Sequence, residues 1–564
     1  MKGFCAEREG IAIVPKLLIV VLLSLGPSTV DTRAESAPTA LRCGTPYVLQ
    51  AMDAASELST EHQRLKLVQR RPSTQHSLLT PSGHFRVHYD TEGDDAVDPT
   101  DGDANGIPDY IDLAATVLDS TWELEVEQLG YNPPPSDNGL GGGDEYDVYV
   151  IDIAHRGCAN VRPVYGCTYP GSSNAVTHSH LEIDNNFTDS SYVQTRGLDA
   201  LRVTIAHEFR HAIQFGYYAG RDGSWWQEST STWMEEVSYP HIDDYLQYLP
   251  HFLSIPQRAL NSGRPGSSHI YGTAIFSHFL DQHYSRDLNR LIWEELKERQ
   301  SADLDHFDRI IRRVEPGGLG VAIGEFAVWN YFTGRRHRRG FYAEGDKYPL
   351  VPTHDLAVAA KTVVRDSSLL DATGSNYLRL APQLRPGGVT LAFESSRGAW
   401  RRHLLLIAPD SIAVRPVAEP TVRVIDWDQY EEVILVISSA EDHGVAYPYQ
   451  VSVEFDPDLT DAQAALATLF DPSYPNPFRL GQHRQTHLVF DLAFPSAQTR
   501  LSIFSTNGDL VWWKDLGPRA ARENHVVPWD GRNAAGKFVA SGVYHLLLEA
   551  DGQTALHSLA VVRD

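Results

Sequence analysis

Basic residues are scarce. The chain of 564 residues has 48 Lys and Arg against 73 Asp and Glu, a formal net charge of −25. Nucleic acid is bound by neutralising phosphates with basic side chains, and anionic membrane surfaces attract the same residues, so the balance argues against both partners. Cysteine is scarcer still, at four, too few for a disulfide scaffold. Beyond the N-terminus no apolar run reaches the ~18–20 residues of a membrane-spanning helix. There is no repeat of fixed period. No phosphate-cradling glycine loop is seen, and no Ser/His/Asp or Cys triad can be placed. What is present is 42% hydrophobic and 10% aromatic residues. That suffices for real cores, and the length allows about three to five domains.

Lys2, Arg8 and Lys16 precede an apolar run at residues 17–26, and small and polar residues follow. This order predicts a signal peptide over 1–34. Cleavage is expected after Ala34 or Ala37, and Pro38 behind the second site favours the first. The run is short for an uncleaved anchor. A secreted or cell-surface protein is therefore expected. Cys158 and Cys167 lie in the loop RGCANVRPVYGCTYP. In an oxidising compartment they are expected to form a local disulfide, the alternative being two loop thiols. Cys43 is left over with no role.

The period of the pattern changes along the chain. Residues 35–80 are polar and read as a leader or propeptide. From His84 the segment HFRVHY alternates as a strand, and a helical period runs over 109–129 with Ile111, Ala114, Leu118 and Trp122 on one face. GGGDEYDVYVIDI reads as loop and strand, and LEIDNNF (181–187) as a short edge strand. Residues 199–333 read almost wholly as helices. After about 350, short apolar runs separated by turn residues predict a β-sandwich over 360–456. A Pro-rich break, DPSYPNPFRLG, precedes a second, immunoglobulin-like sandwich over 470–564. The expected class is α+β: a strand-rich lobe and a helical lobe over 81–350, then two sandwiches.

The chemistry is concentrated in LDALRVTIAHEFRHAIQFGYY (198–218). Leu201, Ile205, Phe209 and Ala212 have helical spacing. On that helix His207 and His211 are i and i+4, so both imidazoles leave one face a turn apart and can grip one Zn²⁺. Glu208 can act as general base toward a zinc-activated water. A third ligand must come from elsewhere. GSWWQESTSTWMEEVSYP (223–240) reads as a second helix, with Ser224 and Gln227 as a capping box and Pro240 as the stop. Two antiparallel helices would carry Glu228 over the His pair. His₂Glu with an open fourth position is a catalytic zinc set.

These two segments resemble the gluzincin metallopeptidases. WWQESTSTWME is similar to the aminopeptidase pattern WLNEGFASYVE, which puts Glu228 on the third ligand and Glu235 on a second acidic position that orients a ligand. The metzincin motif fails, because Gln214 and Tyr217 stand where it needs Gly and His. Tyr271-Gly272-Thr273-Ala274 resembles the YxKGA-type helix start of aminopeptidases, which implies that Tyr271 stabilises the oxyanion. The alternative is a core tyrosine. His269 and His278 read as structural or surface residues. Over about 84–350 the chain resembles a family of secreted bacterial metalloproteases. The resemblance is carried in order by HFRVHY, DGDANGIPDY, AHEFRHAIQFGY, the WW…WMEE helix, the YG helix and NYFTGRR…FYAEGDKYP, and it implies proteolysis. The segment by which aminopeptidases bind a free N-terminus is missing, which favours an endopeptidase. LEIDNNF is a candidate strand for pairing an extended peptide.

DGDANGIPDYID (101–112) sets Asp101, Asp103, Asn105, Ile107 (by its carbonyl), Asp109 and Asp112 on the ligand schedule of an EF-hand loop, with Gly106 at the turn. Only the following helix is present, so an isolated structural Ca²⁺ loop is expected. Near the C-terminus SYPNPF, STNGDLVWW, WDGRNAAGKFVASGVYHLLLEA and LAVVRD resemble FlgD-like immunoglobulin domains. Some of these act as type IX sorting signals, which implies secretion machinery or a cell surface as partner. His557-Ser558 replace basic residues expected of such a signal. The leading expectation is an exported zinc endopeptidase acting on protein or peptide substrates. A zinc aminopeptidase and an inactive surface-binding protein are the alternatives.

Overall fold

The computed structural model describes residues 39–56, 71–172, 176–264, 266–356, 358, 363–381, 386–457, 459, 469–492, 495–520, 525–551 and 553–563. The signal-peptide pattern and part of the expected leader lie outside the described residues. The class is α+β. No described helix is long and apolar enough to cross a membrane.

Short β-branched and aromatic runs build the first lobe. Its six strands are β1 (Leu41–Cys43), β2 (His76–Leu79), β3 (Phe85–Tyr89), β4 (Tyr146–Ile151), β5 (Val164–Pro170) and β6 (Ser179–Asp184). They lie side by side in the order β1-β5-β6-β4-β3-β2. β5 runs antiparallel to β6, and β1 runs parallel to β5. Both edges of the sheet therefore come from residues read in the sequence as a separate leader. Strands of three and four residues carry too little alternation to announce themselves.

The expectation that LEIDNNF is an edge strand is corrected. β6 pairs on one flank with β5 and on the other with β4, and all six of its residues are buried. The strand beside the chemistry is β5, and β1 covers its outer flank.

Helix α1 (Thr45–Ser56) follows β1 directly. Helix α2 (Asp109–Trp122) buries Ile111, Ala114 and Leu118, and a π-helical turn extends it to Gln128. Helix α3 (Gly197–Phe215) buries Leu201, Ile205, Phe209 and Ala212 and packs on β5, β6, α2 and the next helix, α4 (Ser224–Ser238). The expected capping box on α4 does not form. Gly223 is the N-cap, Ser224 is already helical, and Gln227 donates to the carbonyls of Tyr218 and Gly220. Beyond α4 come α5 (Ser268–Gly272) and, later, α6 (Gly318–Tyr331).

Residues 354–456 form two sheets. One is four-stranded, built from Thr421–Val424, Gly388–Glu394, Tyr447–Asp456 and Val363–Leu370. The other is five-stranded, with Trp400–Ile407 and Glu432–Ser439 at its centre. Leu391, Val451 and Val453 of the first sheet share a core with Leu404, Leu406, Val433 and Leu435 of the second. The alternate residues Leu405, Ile434 and Val436 join the core of the helical lobe, where α6 lies on that sheet. Residues 469–562 form a three-stranded and a five-stranded sheet around a separate core that includes Phe490, Ile503, Trp529 and Leu546.

Candidate metal centre

Helical spacing puts His207 and His211 one turn apart on α3, and their Nε2 atoms are 3.2 Å from each other. α4 lies across α3 and brings the Glu228 carboxylate to 3.2 Å from His207 Nε2 and 3.3 Å from His211 Nε2. A fourth donor stands there too. Cys43 Sγ, from the end of β1, is 3.4 Å from His211 Nε2. Ligand atoms of all four residues lie within 4.8 Å of one another. None of the four residues is more than 1% exposed.

The surroundings fix which ring nitrogen faces inward. Glu235 Oε1 accepts from His207 Nδ1 at 2.6 Å, and Gln214 Oε1 accepts from His211 Nδ1 at 2.8 Å. The Gln214 amide nitrogen is tied to the Gln227 carbonyl, Thr230 and Ser231, each at 3.0 Å, which holds its oxygen toward His211. With both Nδ1 atoms engaged, the Nε2 atoms are the ones turned toward each other and toward the Glu228 carboxylate. Burial opposes ionisation of Glu228, but the charge of His211 and hydrogen bonds from both histidines bring its carboxyl down to about 2. Burial likewise disfavours charge on His207, and its hydrogen bonds to Glu228 and Glu235 raise it to about 9. Two nitrogens, a carboxylate and a thiol suit Zn²⁺ among the common ions.

Glu208 stands beside this cluster, wholly buried. Its Oε2 accepts from Thr168 Oγ1 on β5 at 2.8 Å and from Thr45 Oγ1 on α1 at 3.0 Å, while Oε1 has no hydrogen-bond partner among the described residues. Gly166 permits this closeness. A Cβ there would meet Thr204 Cγ2 at 2.7 Å and Glu208 Cγ at 2.8 Å. Tyr271, on α5, has its ring 6.1 Å from that of His207, and its buried hydroxyl is without a hydrogen-bond partner among the described residues. Burial, then the Glu228 charge, pushes its phenol well up, so it remains an O–H donor. Arg210, inside the motif, turns away to Glu125 at 3.4 Å and stacks on Tyr131. His269 and His278 are buried but lie outside the cluster.

Sequence reasoning missed Cys43 and Gln214. Cys43 is 168 residues from His211, beyond the reach of any local pattern. Gln214 was read only as a mismatch to another motif. Its spacing of three from His211 was the available signal, since i,i+3 residues are neighbours on a helix.

In the acidic loop, carboxylate oxygens of Asp101, Asp103 and Asp109 lie within 4.8 Å of one another. Asn105 donates to Asp112 at 2.9 Å, and the Gly106 N–H donates to Asp101 at 2.8 Å with Gly106 in a left-handed conformation. Cys158 and Cys167 are joined in a disulfide. A cleft of about 300 Å³ lined by His84, Trp122, Asp137 and Glu145 contains none of the metal-cluster residues.

The last module can be identified. Residues 477–553 are a FlgD Ig-like domain. Solved structures similar to parts of the chain include PorZ, an essential surface component of the type IX secretion system of Porphyromonas gingivalis. It is 23% identical, over 20% of this chain and 14% of that one, with a TM-score of 0.14. FlgD from P. aeruginosa is 23% identical over 13% of this chain and 58% of its own, with a TM-score of 0.12. Latent dimeric PorU from P. gingivalis is 14% identical over 32% and 18%, with a TM-score of 0.18. The chain thus spans less than two thirds of each of these. No curated protein matches it.

Proposed function

We propose that the chain is an exported zinc-dependent endopeptidase. One observation carries the reading: His207 Nε2, His211 Nε2 and the Glu228 carboxylate meet within 3.2–3.3 Å, with the Glu208 carboxylate buried beside them. His207, His211 and Glu228 would hold Zn²⁺. When bound, the ion supplies Lewis acidity that polarises a peptide carbonyl and acidifies water. Glu208 takes the proton of the attacking water and returns it to the departing amine. The Tyr271 hydroxyl donates to the oxyanion as charge develops. Glu235 and Gln214 keep the imidazoles aimed. An extended peptide pairs with the outer flank of β5, the flank that β1 occupies. Access along that flank, once β1 has left it, suits cleavage within a chain.

Export is supported by the disulfide, a bond of oxidising compartments. The FlgD Ig-like domain is the part proposed to meet secretion machinery or the cell surface. Asp101, Asp103 and Asp109 are proposed to hold Ca²⁺ through carboxylates, with Asn105, Asp112 and the Ile107 carbonyl completing the loop. Millimolar calcium should raise the thermal midpoint of the parent, and Asp103→Asn should abolish that rise. An unchanged parent midpoint would refute the calcium assignment.

The decisive experiment compares the chain with Glu208→Gln, measuring bound zinc and casein cleavage before and after limited proteolysis of the N-terminal segment. The variant should keep its zinc and lose cleavage by about 10²–10⁴-fold, the usual worth of a general base. Zinc bound by both with cleavage by neither, before or after trimming, would end the peptidase reading. Absence of zinc from both would remove the ligand assignment as well.

A further inference from the structure

Residues 42, 43 and 45 each engage a different part of the proposed machinery. Arg42 Nε donates to Glu235 Oε1 at 3.0 Å, the oxygen that also holds His207. Cys43 Sγ stands among the metal-ligand atoms. Thr45 Oγ1 donates to Glu208 Oε2 at 3.0 Å, on the general base. One short segment thus touches a ligand's support, the ligand set and the base.

The segment is built into the fold. β1 pairs with β5 in the register Leu41↔Val164 and Cys43↔Gly166. The N–H groups of Ala40, Leu41 and Gly44 donate to the carbonyls of Ser191, Pro163 and Gly166 at 3.0, 2.9 and 2.9 Å. Arg42 further donates to Thr204 at 3.2 Å and lies 5.3 Å from the Tyr165 ring centre. Gly44 rests on the disulfide, where a Cβ would come within 2.5 Å of both Cβ and Sγ of Cys158. The backbone is therefore held on both sides of Cys43.

We propose that Cys43 is the fourth ligand of the metal and that residues 41–45 keep the enzyme latent. The inference rests on the zinc-site reading and names the regulation of that same site. Three protein ligands leave a zinc position open for catalysis, whereas four close it. A thiolate from Cys43 closes it, and Thr45 holds one oxygen of the carboxylate that would receive the proton of water. β1 fills the strand flank on which a peptide would lie. With His207, Glu208, His211 and Glu228 at most 1% exposed, no substrate reaches them while the segment is in place. Opening is a ligand exchange. The sulfur–metal bond breaks, the thiolate takes a proton from solvent, and solvent takes the vacated position. No electrons move. Cleavage that releases β1 and α1 drives the exchange.

The test uses the full chain loaded with Co²⁺ in place of zinc. The parent should show the visible ligand-field bands of a four-coordinate ion together with an intense thiolate-to-cobalt band in the near ultraviolet. Cys43→Ser should lose the near-ultraviolet band and keep the visible ones. In the zinc form the trimmed parent should cleave casein at least ~10-fold faster than the untrimmed parent, because activity follows the fraction of open sites. Cys43→Ser, once trimmed, should match the trimmed parent. Thr45→Ala, which leaves the ligand in place, should keep the near-ultraviolet band. Visible bands without the ultraviolet band in the parent would overturn Cys43 as a ligand. An untrimmed parent as fast as the trimmed one would overturn latency. If the thiolate band appears and vanishes as expected but neither the variant nor the trimmed chain cleaves, the peptidase reading fails. Latency falls with it, and Cys43 stands as a ligand of a closed structural site.

Discussion

Glu236 follows the glutamate that holds His207 and faces a different neighbourhood. Its carboxyl meets Glu344 and Asp243, with Lys347 bonded to both at 2.6 and 2.9 Å. Burial, then the charges of Glu344 and Asp243, raises Glu236 from the ordinary 4.5 to about 8. Between those two pH values the folded chain keeps a proton that the unfolded chain has released. Stability therefore falls as pH rises from about 4.5 to about 8, and the loss is complete above about 8. Glu236→Gln removes that dependence. Its thermal midpoint should equal the parent's near pH 4.5 and exceed it at pH 8. Equal midpoints at both pH values would show that Glu236 titrates normally. The contrast with Glu228 is instructive. Glu228 is buried and Glu236 half-buried on one helix; burial pushes both up, like charges add to it at Glu236, and the histidines outweigh it at Glu228.

Among elements, the contact that matters most is β5 against α3, and a missing side chain makes it. Gly166→Val would push Thr204 and Glu208 off the strand, at a cost of about 1–3 kcal/mol for overpacking. Calorimetry should show a lower melting point, and zinc content should fall because His207 and His211 ride on the same helix. A variant with unchanged melting and full zinc would mean that the strand and helix can part freely. α3 was legible in the sequence because Leu201, Ile205, Phe209 and Ala212 mark its apolar face and the two histidines keep its period. α4 was legible by composition, but its start was not. Gln227 found the carbonyls of Tyr218 and Gly220 instead of a cap, a choice made by the turn between the helices. β6 was legible as a strand and misread as an edge, because pairing on a second flank leaves no mark within six residues. β1 was illegible. Three residues have no period, and their partners lie more than a hundred positions away.

At the scale of the whole molecule the two sandwiches differ in how they join the rest. The runs HLLLIA and EVILVIS are continuously apolar because their sheet is buried on both faces. Tyr377 donates to the Ala327 carbonyl at 2.9 Å and Tyr331 to Glu432 at 2.7 Å, tying α6 to that sheet. Gly324 lets His403 approach, since a Cβ there would sit 2.8 Å from the ring. The FlgD Ig-like domain has a core of its own. Differential scanning calorimetry of the full chain should therefore resolve two transitions. A chain ending at Asp456 should lose one and keep the other at the same temperature, whereas a chain ending at Val351 should melt well below it. A shift of the remaining transition in the Asp456 truncation would show that the last domain supports the others.

Arg42 meets Glu235 across 193 positions of sequence. Synthesis runs from the N-terminus, so this arginine and the cysteine beside it exist long before the histidines and glutamates they meet. Every element that builds the metal centre is made later and closes around a stopper already waiting. If Cys43 caps the metal as proposed, the chain passes through no moment at which a finished cutting edge is left bare.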